Sequence, residues 1–237
     1  QARMGSTRLP GKVMMPIKGK PLLYYVINQI KHSKTIPNHI IATTKLQQDD
    51  VIANYAKTQN VLVFRGNQED VLDRYYQCAK QYGIDTIVRI SADSPLIDFE
   101  IIDLCVNKFR KNGFDYLGNT IEKINDVWKE TYNGFPIGFA VEVFTFEALE
   151  SAWRNAKKPS DREHVTEYIW QNPQIFKLGN ITNTENLSNI RLVVDYKSDF
   201  ELIKKIIEQF EDNEIFTTHK VIELINKNPK LFDKSSK

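Results

Sequence analysis

The chain has 237 residues, 41% of them hydrophobic and 26% charged, with a formal net charge of +2. That is enough for one α/β domain without a disulfide or metal staple, and it lacks the basic excess of a nucleic-acid-binding protein. No apolar run approaches the ~20 residues that span a bilayer. No signal peptide is visible, and Cys78 and Cys105 sit among apolar residues, as buried reduced thiols do.

Residues 21–33 carry Leu22, Leu23, Val26, Ile27 and Ile30 at helical spacing. Residues 39–44 read as a buried strand ending in hydroxyls, 49–59 as a helix and 61–64 as a short strand. A helix follows over 69–82, with Val71, Leu72, Tyr75, Tyr76 and Ala79 on its apolar side. Residues 86–90 predict a strand and 99–111 another helix. Strands alternating with helices across short connections favour a largely parallel sheet covered on both faces. The second half is less regular. Residues 122–138 are polar, aromatic and glycine-containing and read as a long loop or excursion. A strand is expected over 139–146, helices over 146–156 and 162–171, a strand over 190–194 and an amphipathic helix over 198–210. One domain over 1–226 followed by a charged, frayed tail at 227–237 completes the expected organisation.

The first twelve residues concentrate chemistry: Gln1, Ala2, Arg3, Met4, Gly5, Ser6, Thr7, Arg8, Leu9, Pro10, Gly11, Lys12. Backbone N–H groups of a glycine-bearing loop can cradle phosphate oxygens, and Arg3, Arg8 and Lys12 can neutralise them. The alternative is a plain basic surface loop. A P-loop is excluded, because five residues separate Gly5 from Gly11 and Val13 follows Lys12. Asp93 follows the predicted strand that contains Arg89, and Asp195 follows the one at 190–194. Ligands of open α/β sheets bind at such strand ends, and Mg²⁺ takes one or two carboxylates plus phosphate and water. Each aspartate could instead cap the next helix. Asp199 suits the first turn of its helix. Ser160 and Glu163 have capping-box spacing, and His164 reads either as a local acid or base or as a surface histidine.

The string from Gln1 to Lys12 resembles the N-terminal signature of the acidic-sugar cytidylyltransferases, most nearly their spore-coat-polysaccharide branch. Further matching pieces fall in order: Ala42, Thr43 and Thr44; Arg65 and Gly66; Glu69 to Leu72; Arg89 to Ile97; Gly138 to Glu142; Arg162 to Val165; Val194 and Asp195. The resemblance covers roughly residues 1–210. It implies a Rossmann-like nucleotidyltransferase fold, α/β with a mostly parallel mixed sheet and helices on both faces. It also implies a first strand running into Gln1, so the native start is expected before that residue. The implied reaction is attack of an acceptor oxygen on the α-phosphorus of CTP with release of pyrophosphate. The resemblance implies that Arg3, Gly5, Ser6, Arg8 and Lys12 hold the triphosphate and that Ala42 and Thr43 lie by the cytosine and ribose, with Arg89 also on the nucleotide side. It implies Mg²⁺ on Asp93 and Asp195, and an acceptor near Gly138, Glu142, Arg162 and His164. The 122–138 excursion would reach a second subunit of a homodimer. A cytoplasmic enzyme without nucleic-acid or membrane partners is expected. Use of another nucleotide, a polyol-phosphate or phosphonate acceptor, or a non-catalytic nucleotide-binding role remain the competing readings. A glycosyltransferase would more typically show an Asp-x-Asp pair at a strand end, and none is present there.

Overall fold

The computed structural model describes residues 1–212 and 214–229. In chain order it contains β1 (Pro16–Ile17), β2 (Lys20–Pro21), α1 (Leu22–Lys31), β3 (Ile40–Thr44), α2 (Asp50–Thr58), β4 (Leu62–Gly66) and α3 (Val71–Tyr82). There follow β5 (Thr86–Arg89), α4 (Phe99–Asn112), β6 (Tyr116–Gly118), β7 (Ile121–Ile124), β8 (Val127–Glu130), β9 (Glu142–Thr145) and α5 (Phe146–Asn155). The chain continues through α6 (Pro159–His164), α7 (Glu167–Trp170), β10 (Leu178–Asn180), α8 (Lys197–Glu208) and α9 (Thr218–Lys227).

The sheet is built in two parts joined by the first two residues. β3 pairs in parallel with β4, while the other part runs in the order β10, β6, β9, β5. β9 is antiparallel to both β5 and β6, whereas β6 and β10 are parallel. Gln1 and Ala2 lie between the parts: Ala2 N–H donates to Ala42 O (3.1 Å), Ala92 N–H to Gln1 O (3.1 Å), and the Gln1 nitrogen to Ile90 O (3.0 Å). This spacing of bonds around Gln1 is that of a parallel ladder.

Side-chain alternation along the strands separates two of the apolar clusters, and a third lies around Ala2, Ile41, Ile52 and Ala56. Leu117 and Val143 face one side, where α1, α4 and α8 cover them with Leu22, Ile102, Cys105, Ile203 and Ile206. Tyr116, Phe144 and Ile87 face the other, against Leu72, Tyr76, Leu149 and Ile169 of α3, α5 and α7. Cys78 and Cys105 are free and buried, and burial pushes their thiols up to about 11 and about 12.

The helices and strands of the first half match their sequence patterns to within a few residues. Four expectations are corrected. Residues 122–138 contain a β-hairpin, β7 paired with β8, turning through Asn125 and Asp126 at φ 49° and 62°. Two successive left-handed residues make the tight turn that matches strand twist. Residues 162–171 are not one helix. The chain breaks at Val165 (φ 68°, ψ −56°), where Thr166 N–H reaches back to His164 O at 2.7 Å, a γ-turn. Ser160 lies inside α6, whose N-cap is Lys158 without a side-chain bond, so no capping box forms there. Residues 190–194 run extended but form only an isolated bridge, Ile137 with Arg191. Strands β6 and β10 and helix α9 had no clear signature. Of the expected tail, all beyond residue 229 lies outside the described residues.

Gly138 (φ 109°) is where that extended segment meets the loop before β9. A Cβ there would lie 2.8 Å from both the Leu192 carbonyl carbon and the Val193 nitrogen. Gly138→Ala should therefore cost roughly 2–4 kcal/mol, combining a strained φ with backbone overlap. Urea unfolding measures this; a loss below about 0.5 kcal/mol would show that the seam yields freely.

Candidate active site

The chain after β5 turns through Asp93 and enters α4. The cap of α4 is Asp98, whose carboxylate accepts from Glu100 N–H at 2.9 Å. Asp93 is thus relieved of capping. At the second strand end, Asp199 accepts from the N–H groups of Asp195 and Tyr196, both at 3.0 Å. That is the first-turn role its position predicts, and it frees the Asp195 side chain. Val194 N–H donates to Asp93 O (2.9 Å), which stitches the two segments together and brings the two carboxylates to one place.

They meet at a cation. The Lys12 ammonium lies 2.7 Å from Asp93 Oδ2, 3.1 Å from Asp195 Oδ1 and 2.6 Å from Val194 O, with Lys12 only 7% exposed. Arg8 Nη2 reaches Asp195 Oδ1 at 2.5 Å, and Arg191 Nη2 donates to Asp195 Oδ2 (2.7 Å) and Asp199 Oδ2 (3.2 Å). Sequence reasoning missed Arg191. Its only trace is a cation inside an apolar run beside two aspartates. Burial pushes the Asp195 carboxyl up, but hydrogen bonds from Arg191 and Lys12 and the charges of Lys12 and Arg8 outweigh it and hold it below the usual carboxylate range. Asp199 is likewise lowered, burial being overcome by Arg191 and two backbone N–H groups. Among the described residues no three His, Cys, Asp or Glu side chains form a metal cage. Two carboxylate oxygens facing one cation is the smaller donor set that Mg²⁺ shares with phosphate and water.

The loop before Lys12 is shaped by its backbone. Ser6 and Gly11 N–H both donate to Met4 O at 2.9 Å, and Gly11 at φ 72° launches a turn of 3₁₀-helix at Lys12–Met14. The N–H groups of Gly5, Thr7 and Arg8 have no acceptor among the described residues, so they are available to an anion. Arg3 has no ion-pair partner among those residues, and Arg8 is half-exposed. The fully buried Asp49 fixes this loop to the sheet: it accepts from Met4 N–H (2.7 Å), Thr44 N–H (3.3 Å) and the Thr44 hydroxyl. Ala42 and Thr43 stand on β3 directly beside Ala2. Thr43 Oγ1 is buried without a hydrogen-bond partner.

The residues expected on the acceptor side form a second, mostly closed cluster. Glu142 takes the Tyr116 hydroxyl (2.8 Å) and the Thr166 hydroxyl on one oxygen and pairs with Arg89 on the other. Burial disfavours the Arg89 charge, yet Glu142 beside it raises the guanidinium pKa overall. Burial and then Glu142 push the Tyr116 hydroxyl well up. Arg162 is among the residues expected near an acceptor. Its fork is engaged by Asp70, the N-cap of α3, and by Trp153 O at 2.7 Å. The His164 side chain is exposed and its ring has no hydrogen-bond or ion-pair partner among the described residues. Gly138 contributes the backbone seam described above rather than an open surface.

Lowered carboxyl pKa values give a definite sign. Asp195 and Asp199 contribute stability that is present above the unfolded value, about 3.9, and is lost as pH falls through their depressed folded values. Stability should therefore drop below about pH 4. Arg191→Met should lose stability already at neutral pH, flatten that acid dependence and raise the Asp195 carboxyl pKa by NMR. Identical profiles for the two proteins would remove Arg191 from this account.

The chain is similar to known proteins along nearly its whole length. The family described as Cytidylyltransferase matches residues 1–224. An uncharacterised protein of Methanocaldococcus jannaschii is 38% identical, over 98% of this chain and 90% of that protein. The spore coat polysaccharide biosynthesis protein SpsF of Bacillus subtilis is 31% identical, over 97% and 93%. The solved structure of a cytidylyltransferase from Leptospira borgpetersenii superposes with a TM-score of 0.89 at 36% identity, covering 100% of this chain and 95% of that one. With a mixed α/β sheet and a family match over residues 1–224, the chain belongs to the cytidylyltransferase family of nucleotidyltransferases.

Proposed function

We propose that this chain transfers CMP from CTP to an acidic sugar or similar small acceptor, with Mg²⁺ and release of pyrophosphate, in the supply of a surface-polysaccharide or glycan precursor. The observation that carries the reading is the convergence of Asp93 and Asp195, neither of them a helix cap, on one cation beside a loop with free N–H groups. Lys12 itself tests the fit, as a cation held by both carboxylates. Similarity to SpsF, a polysaccharide biosynthesis protein, supports the context.

In this reading Gly5 and Ser6 contribute backbone N–H and hydroxyl groups to the triphosphate, and Arg3, Arg8 and Lys12 neutralise it. Ala42 and Thr43 lie by the base and ribose. The acceptor oxygen attacks the α-phosphorus, the bond to the β-phosphate breaks, pyrophosphate leaves with the electron pair, and the acceptor proton passes to solvent. Bound between Asp93 and Asp195, Mg²⁺ would supply positive charge against the phosphate oxygens. Arg191 keeps Asp195 ionised and aimed. Arg89, locked by Glu142, forms the wall between the nucleotide and acceptor sides. Gly138 and Arg162 set the backbone there, and His164 is the group free to touch an acceptor. The β7–β8 hairpin, with Val127 55% exposed and Tyr132 close by at 41%, is the surface assigned to a second copy in a cytoplasmic homodimer.

Pyrophosphate release tests the reaction, comparing CTP, UTP, ATP and GTP across acidic sugars, polyol phosphates and phosphonates. Turnover is expected with CTP and one acceptor class. Asp93→Asn and Asp195→Asn should each lower kcat by at least about a hundredfold with circular dichroism unchanged. Arg8→Ala should raise the KM for CTP about tenfold, the weight of one charge-assisted contact. Full Mg²⁺-dependent activity in Asp93→Asn would refute the metal assignment. Turnover with UTP alone would refute the base assignment.

A further inference from the structure

Lys12 occupies a position that a divalent cation would otherwise take. Its ammonium is buried and touches three oxygens at 2.6–3.1 Å, two of them from Asp93 and Asp195. The local charges also cancel: the carboxylates of Asp93, Asp195 and Asp199 are matched by Arg8, Lys12 and Arg191. A divalent cation arriving alone meets no net negative charge and must displace a buried ammonium. A triphosphate alters both conditions, because it brings its own negative charge and oxygens that can receive an ammonium. The cations differ in their freedom to respond. Arg191 is tethered by Asp199 in the first turn of α8. Lys12 and Arg8 sit on or just after the loop whose Gly5, Thr7 and Pro10 are exposed.

We propose that Lys12 is a built-in counter-cation. In the nucleotide-free protein its ammonium closes the position between Asp93 and Asp195, and a bound triphosphate opens it by taking that ammonium onto its own oxygens. Divalent cation then enters only together with nucleotide. This rests on the reading of Asp93 and Asp195 as metal ligands.

The test is Mn²⁺ binding to the full chain without nucleotide, read by electron paramagnetic resonance of free Mn²⁺. Lys12→Gln and Lys12→Met should each bind Mn²⁺ about tenfold more tightly than the unsubstituted protein, since each leaves two carboxylates without their buried partner. Arg8→Ala, which removes a half-exposed charge without vacating the position, should tighten binding far less. Adding Asp93→Asn to Lys12→Gln should abolish the gain. Unchanged Mn²⁺ affinity in both Lys12 variants would overturn the proposal, as would an equal gain in Arg8→Ala. In either case, loss of CTP-dependent Mn²⁺ binding in Asp93→Asn would leave the metal reading standing. A gain that survives Asp93→Asn and Asp195→Asn would instead sink the metal reading itself. Should the Lys12 variants fail to fold, the ¹³Cε resonance of Lys12 in the unsubstituted protein decides. It should move with CTP in the absence of metal and stay in place with Mg²⁺ alone; movement with Mg²⁺ alone would overturn the proposal.

Discussion

Two carboxylates within reach of one cation repel each other when that cation is gone, and much of this fold is arranged around that repulsion. Asp93 and Asp195 come from segments about a hundred residues apart, joined by a backbone hydrogen bond from Val194 to Asp93. Holding them together requires positive charge from three directions, and Arg8, Lys12 and Arg191 supply it. It also requires that neither aspartate be spent on a helix terminus. Asp98 and Asp199 take those duties. Close placement is completed by Gly138, which lets the 190–194 segment approach the loop before β9 as no side-chain-bearing residue could.

This division of labour explains which parts could be read from the sequence. The paired helices and strands up to residue 112 announce themselves by period, because each buries one face against the sheet. Arg8, Lys12, Asp93 and Asp195 are legible as types at strand ends or in a glycine-bearing loop, and the structure brings these four together. Whether Asp93 or Asp195 caps the next helix was not legible, since that depends on a second acid, Asp98 or Asp199, taking the terminus. Arg191 was invisible for a similar reason: in an extended segment its i,i+4 relation to Asp195 has no periodic meaning. β6 and β10 are three residues each, too short to show alternation, and the hairpin signal at Asn125 and Asp126 was masked by the polar residues around it.

Around Glu142 and Arg162, most polar groups are already satisfied. Glu142 binds three partners and Arg162 is held by Asp70 and Trp153. Such a network gives a rigid wall more readily than a set of free hands. Its tightest element is the turn at Val165, a β-branched residue in a conformation that disfavours one. The turn aims the Thr166 hydroxyl at Glu142, so local strain is coupled to the placement of Arg89.

Asp49 has a wider reach than its distance from the carboxylate pair suggests. One buried side chain holds both the amide of Met4, where the basic loop begins, and the end of β3 at Thr44. Loop and strand therefore behave as one lever with a common fulcrum. Anything that draws the loop inward would also pull on the strand that carries Ala42 and Thr43.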